Sequence, residues 1–334
     1  MTGFSLIRFF KNLGPVLILG LAAAAGAAGD SRDMLMSQGN AKLQERDFPG
    51  AIGDFSAVIM AHPADGEAYL RRASARHARG DLPGAIEDYN QAIRLAQVML
   101  GGKEWHPALA SMYMNRGKAR WDNENWSEAL LDYNSALKCD PNLIMAYGNR
   151  GVVRQIIDDL PGAIADYDEM IKRAPEIGQA FHMRATARMA QGDLSGAISD
   201  FRSVIKLVPK QADFSYLAIW QLRSRQGDQP GADEELARYF KSRSNPDGKD
   251  WPAKIADFLL GRMKEEDFLQ AASALPDQQN VKGHQCEAWY YSGMKRLLSH
   301  DRLVATDYFR KCVALGMKDF NEYHFAITEL KALQ

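Results

Sequence analysis

The string DLPGAI occupies Asp81–Ile86 and returns at Asp159–Ile164, with DFPGAI starting at Asp47 and DLSGAI at Asp193. Set in one register, these strings divide the chain into units 32–65, 66–99, 110–143, 144–177 and 178–211. Each unit has 34 residues, and extra residues fall only between the second and the third. A fixed period of this length marks an array of supersecondary units that bury their apolar faces only by stacking on one another.

Within the period the residue types predict two antiparallel helices. A small residue recurs in the first helix as Gly39, Ala73, Gly117, Gly151 and Ala185. In the second helix Ala51, Ala85, Ala129, Ala163 and Ala197 recur, which lets two backbones approach closely. Four residues on come Phe55, Tyr89, Tyr133, Tyr167 and Phe201, and three further Val58, Ala92, Ala136, Met170 and Val204. The i, i+4, i+7 spacing places all three sets on one buried helical face. Pro63, Pro141, Pro175 and Pro209 stop the second helix, because proline disfavours helical geometry in the residue before it. The aspartate preceding each aromatic (Asp54, Asp88, Asp132, Asp166, Asp200) is read as a solvated flank of that helix.

This pattern resembles the tetratricopeptide repeat over about 180 residues. Gln97 departs from it by replacing the second unit's proline, and Val98 to Pro107, with Trp105 and His106, lengthens the connection to the third unit as a longer helix or a surface projection. A degenerate sixth unit starts near Asp213, with Trp220 at the small position and Leu236 at the aromatic one. The stack is expected to end there, before a turn-rich stretch from Ser242 to Asp250. Beyond it the reading is two short helices at 252–260 and 264–274, a polar break from Pro276 to Gly283, and a seventh unit with Gly293, Ala305 and Phe309. A terminal helix from Phe320 to Leu330 covers the last apolar face. The expected fold is all-α: a tetratricopeptide-repeat solenoid of helix pairs with a helical C-terminal extension and a capping helix. Its expected domains are a signal peptide at 1–29, the repeat array at 30–245 and the C-terminal region at 246–334.

Composition sets the outer bounds. With 46% hydrophobic and 25% charged residues the chain is neither disordered nor a polytopic membrane protein. Lys plus Arg number 41 against 42 acids, so no net positive charge offers itself to phosphate backbones and a nucleic-acid partner is disfavoured. The first eleven residues carry Arg8 and Lys11 and no acid, and Leu13 to Ala28 is uncharged and apolar, the charge order of a secretory signal. Small residues from Ala25 to Gly29 supply a cleavage site near 27–29, giving a periplasmic or secreted product; an uncleaved N-terminal membrane anchor is the alternative. No cysteine precedes Cys139, so no lipid anchor is expected.

The chain contains no HExxH, G-x-S-x-G, GxxxxGK[ST] or CxxC string. No catalytic residue, cofactor or metal is assigned. His284, Cys286 and Glu287 form the tightest potential metal constellation, but the blander reading puts His284 in a polar loop and Cys286 at the start of a repeat helix. Cys286 and Cys312 fall at neighbouring ends of antiparallel helices; two buried thiols is the default and a disulfide the alternative.

In tetratricopeptide arrays the first helices line a concave face that usually holds a peptide. Carried over by register, the candidate contacts here are Met36, Asn40, Leu70, His77, Met114, Lys118, Trp121, Gln155, His182 and Met189. Methionines beside an aromatic make an adaptable surface for a partner segment, and the competing reading is that several pack against neighbouring helices. Some relatives clamp a C-terminal carboxylate with a lysine and an asparagine. Asn40, Asn115 and Asn149 match asparagine positions, but Met36 stands where the lysine is expected, so that activity is disfavoured.

The C-terminal portion is similar to the NlpI family of periplasmic tetratricopeptide proteins. Trp251, Phe258, Leu259, Leu260 and Gly261 carry the likeness, with Tyr290, Tyr291, Gly293, Phe320 to Tyr323, Glu329 and Leu330. The resemblance implies a homodimerising adaptor for peptidoglycan hydrolases or for their proteolysis, here without the family's lipidated cysteine. The expected function is thus an exported, non-enzymatic scaffold binding protein partners in the cell envelope. The alternatives are an assembly factor of a secretion or polysaccharide-export complex, and a hydrolase or metalloprotein with its site around Trp251, His284 and Glu287.

Overall fold

The computed structural model describes residues 28–101, 106–243, 250–274, 278–318 and 320–334. The expected signal segment, with Arg8, Lys11 and the apolar run from Leu13, lies outside the described residues, as does Trp105. Among the described residues the chain is all α-helix and turn, a tetratricopeptide-repeat stack, in two compact units: 28–174 and 175–334. None of these helices is long and apolar enough to cross a membrane.

The first unit holds four helix pairs: α1 (Ala28–Gln44) with α2 (Phe48–Ala61), α3 (Gly66–Arg79) with α4 (Leu82–Met99), α5 (Pro107–Asp122) with α6 (Trp126–Cys139), and α7 (Ile144–Ile156) with α8 (Leu160–Arg173). The DLPGAI string starts the second helix of a pair, and each of its residues has a physical task. Asp47, Asp81 and Asp159 are N-caps whose carboxylates accept the backbone N–H of Gly50, Gly84 and Gly162 at 3.0, 3.1 and 3.0 Å. Proline sits in the first turn, where no helical N–H is lost. A Cβ at Gly162 would lie 2.1 Å from the Asp159 carboxylate, so the cap excludes a side chain there. The alanines and aromatics of the register are buried as expected. At Gly151 a Cβ would come within 2.5 Å of the Tyr167 ring, which explains the small residue opposite each aromatic.

The repeating aspartates are not solvated. Asp88, Asp132 and Asp166 are buried, each gripped by two arginines one helical turn apart on the first helix of its own repeat. Arg72 and Arg76 reach Asp88 at 2.7 and 2.9 Å. Arg116 and Arg120 reach Asp132 at 2.6 and 2.8 Å, and Arg150 and Arg154 reach Asp166 at the same distances. The expectation failed because the flank beside the aromatic faces the partner helix, where paired guanidinia offset the loss of hydration. The first arginine of each pair also donates to the preceding repeat: Arg72 to Ser56 at 3.0 Å, Arg116 to Asn90 at 2.8 Å and Arg150 to Asn134 at 2.8 Å. One side chain therefore closes its own helix pair and ties it to the pair before. In the first repeat Lys42 meets Asp54 at 2.7 Å instead.

The second unit continues the pattern with α9 (Gly178–Gln191) and α10 (Leu194–Leu207), where Arg184 and Arg188 hold Asp200 at 2.6 and 2.9 Å. Next come α11 (Ala212–Arg225) and α12 (Gln229–Ser242). Here large and small residues exchange places: Trp220 stands at the small position and Leu236 at the aromatic one, both buried, with the Trp220 indole N–H donating to Asp233 at 2.6 Å. The buried aspartate becomes Glu235, 2.5 Å from Arg223. The stack does not stop at this pair. Trp220 and Leu236 join a continuous core with Trp251, Phe258, Phe268, Tyr290 and Phe309, built by α13 (Trp251–Leu259), α14 (Glu265–Ser273), α15 (Gln278–Leu298) and α16 (Arg302–Ala314). The last helix is α17 (Asn321–Leu333), which packs on α15 and α16 as the expected cap.

The predicted polar break at 276–283 is corrected by α15, which is helical from Gln278. His284 is therefore on a helix, not in a loop. The polar letters misled because Gly283, a helix breaker by propensity, is held by packing: a Cβ there would meet the Phe320 ring at 2.6 Å.

These contacts generate a contrast in stability. Asp166→Ala leaves two guanidinia facing a buried gap and is expected to cost about 3 kcal/mol. Glu234→Ala removes an exposed i,i+4 pair to Arg238 and is expected to cost less than about 0.5 kcal/mol. Urea unfolding followed by circular dichroism checks both, and equal losses would refute the reading. The residue in the left-handed turn before the second helix is Gly80 or Gly192 in two repeats but Arg46, Glu124 and Asp158 in three others, at φ 64°, 59° and 69°. Arg46→Gly is accordingly expected to stabilise by about 0.5–1 kcal/mol in the same measurement.

Candidate partner-binding face

The first helices of successive repeats touch one another in the first unit, α1 with α3, α3 with α5 and α5 with α7, and so form one continuous inner face. Of the sequence candidates placed there, Met36, Leu70 and Met114 are buried, while Asn40, His77, Lys118, Trp121 and Gln155 stay partly exposed. The Nε2 of His77 lies 2.6 Å from an oxygen of Asp122, bridging α3 and α5. Burial lowers the pKa of Lys118, which Asp122 partly offsets. The Trp121 ring meets Trp126 edge to face, with centroids 5.8 Å apart. The Gln155 side-chain oxygen accepts from the Tyr167 hydroxyl at 3.2 Å. The Asn40 side-chain oxygen is buried with no hydrogen-bond partner among the described residues, an acceptor left over by the fold. Asp122 and Trp126 were missed in the sequence, because neither recurs at its register position.

A cavity of about 670 Å³ opens in the same unit. Leu70, Met99, Leu100 and Met112 give it an apolar lining, with Arg71 and His106 among its polar groups. It forms where α4 runs on past the usual proline position to Met99.

In the second unit the chain occupies this face itself. Phe325 of α17 packs against the cluster of Ala185, Met189, Ile219 and Leu222, and Arg225 forms an ion pair with Glu329 of α17. His182 is partly covered too. The Asn321 side-chain nitrogen is 3.4 Å from its Nε2, Phe201 lies against its edge at 5.7 Å, and burial drives its pKa down to about 4. His182 and Met189 therefore meet a segment of their own chain. Sequence gave no sign of this, since a capping helix and a groove-filling helix carry the same amphipathic pattern.

His284, Cys286 and Glu287 turn to separate neighbours. His284 stacks on Trp251 with centroids 4.3 Å apart, Cys286 faces Cys312, and Glu287 accepts the Trp251 indole N–H at 2.6 Å. Among the described residues no group of three or more His, Cys, Asp or Glu side chains is placed to hold a metal ion. Glu287 is pushed well above the carboxylate range, chiefly by burial and then by Glu322. Burial likewise lifts Glu322 to about 7, partly countered by the Tyr291 hydroxyl at 3.5 Å.

Because its folded pKa lies above its unfolded one, Glu322 withdraws stability as pH rises from about 4.5 to about 7. His182 and His284, depressed to about 4, act in the opposite direction over a similar range, so the test is a difference. Relative to wild type, Glu322→Gln is expected to gain up to about 3 kcal/mol between pH 4.5 and pH 7, read from urea midpoints. A difference that stays constant with pH would contradict it.

Comparison with known proteins agrees with the fold. Residues 36–98 match the family model of the tetratricopeptide repeat. A tetratricopeptide repeat protein from Parabacteroides merdae superposes with a TM-score of 0.54 at 16% identity, over 91% of this chain and 99% of its own. The C-terminal part of a repeat-containing protein from Cytophaga hutchinsonii gives 0.50 at 17% identity, over 86% and 98%. The protein MamA gives 0.48 at 22% identity, over 56% and 96%. The chain is thus similar in fold to tetratricopeptide-repeat proteins along most of its length.

Proposed function

We propose that this chain is a non-enzymatic adaptor that holds an extended segment of another protein along the first-helix face of residues 28–174. The observation that carries this reading is the contrast between the two faces. On α1, α3, α5 and α7 polar and aromatic side chains remain partly exposed. In residues 175–334 Met189 is buried in the cluster that Phe325 of α17 packs on, and His182 is partly covered by Asn321. Trp121 offers apolar contact, and Lys118 and the His77–Asp122 pair add charge recognition. The cavity beside Leu70 accepts an apolar side chain.

The charge order of residues 1–28 supports export, and the resemblance of the C-terminal region to the NlpI family supports a partner in the cell envelope, namely a peptidoglycan hydrolase or the machinery that degrades one. Export through a cleaved signal belongs to the same proposal.

Envelope extracts passed over the immobilised mature chain test it. A His77→Ala, Trp121→Ala double variant that keeps its helical circular dichroism is expected to lose at least tenfold in partner recovery. Met189→Ala is expected to recover the partner like wild type. Equal recovery by the double variant and wild type would overturn the groove assignment.

A further inference from the structure

We propose that Cys286 and Cys312 are joined by a disulfide when the chain folds in an oxidising environment. The two sulfurs lie 3.1 Å apart across α15 and α16, and both residues are completely buried. A bond of about 2.05 Å needs only a small further approach. Around them the site is fixed. The Cys312 sulfur is 3.6 Å from the Glu322 carbonyl oxygen and the Cys286 sulfur 3.9 Å from the Cys312 carbonyl oxygen, so both thiols are caged by the helix pair and the start of α17. No other cysteine occurs in residues 175–334, since Cys139 lies on α6.

The bond would tie the two helices of the last repeat, on which α17 rests, across 26 residues of chain. Cys286 is shielded by its neighbour and by burial, both of which raise its thiol pKa, so little thiolate exists once α15 and α16 have closed. The oxidation therefore belongs to folding, before closure, and the finished bond is protected from small reductants. This makes it a structural cross-link rather than a switch.

The chemistry is thiol–disulfide exchange with an external disulfide. One cysteine thiolate attacks a sulfur of the oxidant, forming a mixed disulfide and releasing one oxidant thiolate. The second cysteine then attacks the protein-side sulfur, closing the Cys286–Cys312 bond and releasing the other thiol. Two thiol protons leave, and two electrons reduce the oxidant disulfide to two thiols. In a cell the oxidant is a dithiol–disulfide protein of the oxidising compartment, and that step rests on the export proposed above. The bond itself does not.

Refolding separates the two. The full chain, reduced and unfolded in urea, is diluted into oxidised and reduced glutathione, trapped with iodoacetamide and mapped by mass spectrometry. The expected product has the Cys286 and Cys312 peptides linked, Cys139 alkylated, and a chain mass lower by about 2 Da than the reduced form before alkylation. Alkylation of all three cysteines, stable glutathione adducts, or a bridge involving Cys139 would overturn the proposal. As a second measurement, chain co-expressed with a disulfide isomerase in an oxidising host is mapped without refolding, and free Cys286 and Cys312 there would overturn it equally. A bridge formed in both, with a fully reduced chain in its native cell, would count against export and leave the cross-link standing.

Discussion

The stack depends on a buried aspartate held between two arginines on the facing helix. A carboxylate at this depth is tolerable only with its charge matched and its oxygens saturated, and Arg72 with Arg76, Arg116 with Arg120, and Arg150 with Arg154 provide both. Against a hydrophobic substitute such a pair roughly breaks even in free energy. What it adds is register: a one-turn slip of either helix would take one of the two arginines away from the buried carboxylate. Since the first arginine also bonds to Ser56, Asn90 or Asn134 of the repeat before, the same interaction sets the offset between repeats. The glycine-over-aromatic contacts then fill the space that this register leaves.

Where the array changes, the same logic is rewritten. The sixth repeat lengthens the acid to Glu235 while exchanging its large and small residues at Trp220 and Leu236. In the last, Tyr308 follows the spacing of the aspartates, and the carboxylate comes from outside the repeat. Glu265 of α14 meets Arg296 at 2.8 Å and accepts the Tyr308 hydroxyl at 2.7 Å. Here α13 and α14 are inserted between the repeats, and the core runs on from Trp220 to Phe309 without a break.

Much of this was legible in the sequence. The period, the pairing of Gly151 with Tyr167, the terminating prolines and the capping helix follow from steric rules that act within one repeat. The buried role of Asp166 was missed because it was weighed alone; the signal was Arg150 and Arg154, which recur in the same register sixteen and twelve residues earlier. His284 was misplaced because Gly283 lowers helix propensity, and only contact with Phe320 restores it. The candidate contacts His182 and Met189 lie on the first helix of their repeat, and what packs on them is Asn321 and Phe325, more than a hundred residues away. No periodicity reports such a pairing.

The two inner faces differ in character, one partly exposed and one packed in part by the chain's own last helix. The direct test is photo-crosslinking in the native cell, with a benzophenone amino acid placed at Trp121 or at Met189 in otherwise wild-type chain. The account predicts crosslinks to a foreign polypeptide from position 121 and only intramolecular products from position 189. A foreign adduct from 189 with none from 121 would contradict it.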